Sequence, residues 1–201
     1  MKITSWYFLF FMLSIQFCFA QNELDPISLT HLEGLSSYSP SVEINQCIAT
    51  VYYKHSANQV ELFAQLLSAE GQKLWGEEGL LVSTYPEGEY SLQLVSSNDN
   101  AVIMTWTEES YDSDIKQIKA QKIDINGQKL WGENGIVMYA NDMYNSDKDN
   151  FTQLKSDHQG GFYFIHFHSY YHHFMHYNTS GQLLLNLWNN NLISNNLQDL
   201  L

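Results

Sequence analysis

Laid against itself, this chain repeats. Leu62-Phe63-Ala64-Gln65 leads into Glu70-Gly71-Gln72-Lys73-Leu74-Trp75-Gly76-Glu77-Glu78-Gly79-Leu80, and 56 residues later Ile118-Lys119-Ala120-Gln121 leads into Asn126-Gly127-Gln128-Lys129-Leu130-Trp131-Gly132-Glu133-Asn134-Gly135-Ile136. Identity at Ala-Gln, at Gly-Gln-Lys-Leu-Trp-Gly-Glu and at the closing Gly under one fixed offset marks a duplication. A unit of this length cannot bury its apolar face alone and must stack on its neighbours. A third, weaker copy runs from Phe174 through Ser180-Gly181-Gln182-Leu183, and there the tryptophan position is Leu185.

The strands upstream repeat too. Cys47–Tyr53, Ala101–Thr107 and Phe162–His168 are apolar runs, and the turn formers Asn98-Asp99-Asn100 and Asp157-His158-Gln159-Gly160-Gly161 precede the second and third. In Ala101-Val102-Ile103-Met104-Thr105-Trp106 both alternating sets are largely apolar, so neither face of that strand can be left in water. Four short strands in about 55 residues, with a glycine turn before the last, have the rhythm of a propeller blade. The expected fold is all-β: propeller-like blades of four antiparallel strands, about three repeats, in an incomplete or open arc. Copies are centred near residues 47–82, 101–138 and 162–186 within a repeat region of 41–201. Helix periodicity is absent, and the asparagines of 189–191 and 195–196 make a poor helix interior.

The first twenty residues read as a signal peptide: Lys2, an apolar run from Trp6 to Phe19, and a close on Cys18-Phe19-Ala20. That run is shorter than the roughly twenty residues of a membrane span, and no second one follows. The expectation is a secreted chain, extracellular or at the cell surface, or periplasmic if not exported further, with an N-terminal segment over 21–40. Cleavage would remove Cys18 and leave Cys47 alone in an apolar stretch, a small buried hydrophobe with no disulfide.

All nine basic residues are lysines, against 22 acids. Losing Lys2 leaves eight, a formal net charge of −14. That field repels polyanions, and the guanidinium fork that reads phosphate and guanine is missing, so nucleic acid is excluded as a partner. Uncharged glycans, proteins or calcium are the tolerated partners.

The run from Ala-Gln to Gly-Gln-Lys-Leu-Trp-Gly-Glu-Asn-Gly, followed by Ser156-Asp157 and Gly160-Gly161 before an apolar strand, resembles the repeats of secreted bacterial β-propeller proteins that often carry a type IX secretion C-terminal sorting domain. The resemblance covers about residues 41 to 186. It implies a blade scaffold and names no active site, and no sorting domain is visible in this sequence. Closed propellers have four to eight blades. Three repeats favour a piece of a longer protein over a free-standing arc, and further blades or a partner chain are expected to cover the end blades.

Candidate sites are few. Trp75 and Trp131 recur at equivalent positions, as core residues locking each blade's last turn or as a pair of sugar-stacking platforms. Asp112 and Asp114 offer the oxygen ligands that calcium prefers, although no twelve-residue calcium loop can be drawn. His166, His168, His173 and His176 crowd together, and His166 and His168 share one face of a strand. A hairpin bringing His173 or His176 alongside would make a three-nitrogen metal site. No nucleophile elbow, phosphate loop or zincin motif occurs, and no cofactor is implied. The expected function is a non-enzymatic recognition or scaffold module. The alternative is part of a polysaccharide-active enzyme with carboxylate catalysis in its acidic loops.

Overall fold

The computed structural model describes residues 39–55, 60–85, 92–110, 115–142, 151–168 and 171–189. The leader and most of the N-terminal segment lie outside these residues, as do Asp112 and Asp114. The described residues form twelve strands. They are β1 (Ser41–Ile44), β2 (Cys47–His55), β3 (Val60–Leu67), β4 (Leu80–Tyr85), β5 (Gln93–Ser97), β6 (Ala101–Ser110), β7 (Ile115–Asp124), β8 (Ile136–Asp142), β9 (Phe151–Ser156), β10 (Phe162–His168), β11 (Tyr171–Tyr177) and β12 (Leu183–Asn189). They make three four-stranded antiparallel meanders, β1 to β4, β5 to β8 and β9 to β12, which are the three repeats in order.

The three sheets stand side by side in chain order, a placement consistent with the blades of an open arc. The first strand of each blade lies beside the first strand of the next, β1 against β5 and β5 against β9. Register fixes the equivalences. Ile48 pairs with Leu67, Val102 with Ile123 and Phe162 with Tyr177, so these three pairs occupy one position in three blades. Two tight hairpins follow from backbone chemistry: Asn45 and Gln46 both take positive φ between β1 and β2, and Asn100 does so between β5 and β6.

Two cores fill the spaces between blades. Ala49, Val51, Leu62, Ala64 and Leu66 of the first blade meet Val102, Met104 and Trp106 of the second. On the other face of β6, Ile103 joins Ile118 and Ala120 against Leu154, Phe162, Phe164 and Met175 of the third. The middle blade is thus apolar on both faces because both are covered, as the doubly apolar pattern of β6 requires.

Candidate functional site

The repeated motif builds a bracket in each of the first two blades. Strand β3 carries Gln65, fully buried, whose Oε1 accepts from the backbone N–H of Trp75 (3.0 Å) and of Leu66 (3.0 Å) while its Nε2 donates to the Gly76 carbonyl (2.7 Å). Gln121 does the same with Trp131 (3.1 Å), Lys122 (3.0 Å) and Gly132 (2.7 Å). The side-chain amide stands in for a peptide group where the outermost strand bulges away from its neighbour.

That bulge throws each tryptophan forward onto the following blade. Trp75 Nε1 donates to the Ile125 carbonyl and Trp131 Nε1 to the Thr179 carbonyl, each at 3.1 Å. The rings lie on Gly127 and Gly181, glycines with φ of +85° and +78°, where an added Cβ would come within 3.2 Å and 3.1 Å of the respective indole Cδ1 atoms. Both tryptophans are 6% exposed. This corrects the platform reading of Trp75 and Trp131: neither ring offers a face to a sugar, because each is spent on the junction between blades.

One position of the repeat carries three different residues: Leu66, Lys122 and His176. Lys122 is completely buried, and its ammonium donates to Asp99 Oδ2 (2.6 Å), the Gly160 carbonyl (2.6 Å) and Thr179 Oγ1 (3.0 Å), joining the second blade to two turns of the third. Burial pushes the Asp99 carboxyl upward, but hydrogen bonds from Lys122, Ser97 and Thr179 and the lysine charge outweigh it and hold Asp99 below the ordinary carboxylate range. In the third blade His176 Nε2 lies 2.9 Å from Asp157 Oδ2. Burial raises Asp157 as well, yet His176 and the N–H groups of Gln159 and Gly161 hold it low.

Between the first two blades, Glu108 accepts from Ser83 Oγ (2.5 Å) and Trp106 Nε1 (3.0 Å) and pairs with Lys119 (2.8 Å). Between the inner strands, Gln93 donates from Nε2 to the carbonyl and hydroxyl of Thr152, the latter at 2.7 Å, and accepts from Leu154 N–H at 2.6 Å.

The histidine cluster divides. His166 and His173 are cross-strand partners with ring centroids 5.9 Å apart, both buried, and the Tyr139 ring sits 5.2 Å and 5.6 Å from them. His176 lies an odd number of residues from His173 on the same strand. It therefore points from the opposite face of the blade, onto Tyr163 and Asp157. Of the set His166, His168, His173 and His176, the hairpin brings His173 beside His166, and the expectation is corrected for His176, which lies on the other face and cannot join them. The His168 side chain lies outside what is described. Among the described residues no group of three or more His, Cys, Asp or Glu is arranged to hold a metal ion.

Sequence reasoning missed Gln65, Gln121 and Lys122. The signal for the glutamines was present, since the third copy loses both members at once, with Met175 and Leu185 where the others have Gln and Trp. Compared with family models, with curated proteins and with solved structures, the chain matches none.

Proposed function

We propose that this chain is a secreted, non-enzymatic recognition or scaffold module in which the blades hold the surface and the loops between strands do the contacting. One observation supports the reading. The buried Lys122 and the two bracket glutamines, with the carboxylates Asp99 and Asp157 that are held below the ordinary range, are engaged in joining strands and blades. A catalytic pair needs carboxylates aimed at a shared opening. The acidic balance suits an uncharged glycan or a protein partner, and the N-terminal leader and the resemblance of the repeat to secreted bacterial propeller proteins suit an extracellular address.

The test uses protein expressed from Met1 in a bacterial host. Its N-terminus is sequenced, and the protein is incubated with a panel of soluble polysaccharides while retention and reducing-end release are followed. The expected result is a mature start at Gln21 and retention on a glycan or a captured surface protein without release. Release of reducing ends that disappears in Asp112→Asn or Asp114→Asn would overturn the reading in favour of a polysaccharide-active enzyme.

A further inference from the structure

The two junctions between blades meet the same positions with different chemistry. On the face that the second blade turns to the first, Trp106 of β6 and Lys119 of β7 are cross-strand partners. Glu108, two residues beyond Trp106 on β6, is the hub between them. Its carboxylate accepts from Trp106 Nε1 at 3.0 Å, pairs with Lys119 Nζ at 2.8 Å and accepts from Ser83 Oγ of the first blade at 2.5 Å.

The register that sets Phe162 and Tyr177 at the places of Val102 and Ile123 continues along both strands of the third blade. His166 takes the place of Trp106, His173 that of Lys119 and His168 that of Glu108. Across the junction, Tyr139 pairs with Ile118 as Ser83 pairs with Leu62, so Tyr139 takes the place of Ser83. The described side chains sit as this equivalence requires. His166 and His173 are 3% and 4% exposed, their rings stand edge to face at 5.9 Å, and the Tyr139 ring of the second blade lies 5.2 Å and 5.6 Å from them.

An indole, an ammonium and a carboxylate are thus exchanged together for three imidazoles. Each neutral imidazole offers one nitrogen lone pair, and three of them are the ligand set of a tetrahedral metal site with one open position. The spacing allows it: directly opposed residues on adjacent strands have Cβ atoms about 5 Å apart, and metal–nitrogen bonds of about 2.0 Å let two such rings reach one ion. We infer that the second junction holds a transition-metal site of the zinc class, with His166, His173 and His168 as its protein ligands. Tyr139 closes the site from the second blade, and the fourth position is left to water. Imidazole nitrogen selects zinc, copper or nickel over calcium and magnesium.

The test is calorimetric titration with zinc alone of the chain expressed from Met1 and stripped with a chelator. One ion per chain is expected, bound at about pH 7.5 and lost toward about pH 5 as the imidazoles protonate. His166→Gln, His168→Gln and His173→Gln are each expected to lose the binding with unchanged circular dichroism, while His172→Gln and His176→Gln, on the opposite face, keep it. Should a single glutamine unfold the blade, the double variant His168→Glu with His173→Lys carries what the first junction has at these places. It is expected to fold and to bind no zinc. A wild type that binds no zinc, binding that survives any of the three glutamine variants or persists at pH 5, or binding lost in a folded His176→Gln chain overturns the inference.

Discussion

Single side chains carry the pH behaviour of this fold. Tyr52 is buried and donates to the Glu78 carbonyl at 2.6 Å; burial, with Glu78 beside it, pushes its pKa up to about 12. A phenol whose folded pKa is raised contributes stability that is complete below the ordinary value of about 10 and is lost as pH rises through the folded value. Wild type is therefore expected to lose stability between about pH 10 and 12, and Tyr52→Phe to flatten that loss while costing about 1 kcal/mol at neutral pH for the missing hydrogen bond. A thermal melt series checks both. Asp157 works in the other direction: its folded pKa is depressed, so its contribution is present above about pH 4 and disappears as acid protonates it. Asp157→Asn should remove part of the acid sensitivity of the melting temperature. Thr105 is buried, and its Oγ1 has no hydrogen-bond partner among the described residues, so Thr105→Val is expected to raise stability by about 1 kcal/mol in urea titration. None of this was legible in the sequence. Lys122 reads there as the polar member of an alternating strand, and only the turns of the third blade, brought over it by folding, make it a buried cation.

At the scale of elements, the difference between β12 and its counterparts is the informative one. In the first two blades the outer strand pairs late, Leu80 lying nine residues after Gly71 and Ile136 nine after Gly127, because the bracketed bulge intervenes; Leu187 lies only six after Gly181. Without Gln the bulge has no amide to fill it, and without the bulge a tryptophan has no route to the next blade. Gln65→Leu should therefore strand the Trp75 N–H and the Gly76 carbonyl at once, costing about 2–4 kcal/mol in denaturant titration. Gln65→Glu should do comparable damage, since it keeps the acceptor and loses the donor. The repeat offset, the strand count and the glycine turns were readable because duplication and apolar alternation are properties of the chain itself. The bracket was not, because a buried Gln and an exposed Gln look alike until the partner strand is known.

Across the whole molecule, each blade holds mainly to its neighbours, so stability propagates pairwise along the arc. Trp131→Ala, which removes the ring seated on Gly181, is expected to cost about 3–5 kcal/mol at the second junction. Hydrogen exchange in β9 to β12 should then accelerate ahead of exchange in β1 to β4. The doubly apolar strand β6 announced that blades stack. The destination of the tryptophans was hidden because Trp75 meets Ile125 across 50 residues, a distance that single-chain patterning cannot span. The direction of that contact has an evolutionary consequence. Every unit bearing Gln and Trp presents the same socket and the same plug, so an in-frame gain or loss of one such unit leaves well-formed seams on both sides, and copy number is free to drift. Paired loss of Gln and Trp in a unit, as at Met175 and Leu185, removes that plug from the seam on its far side.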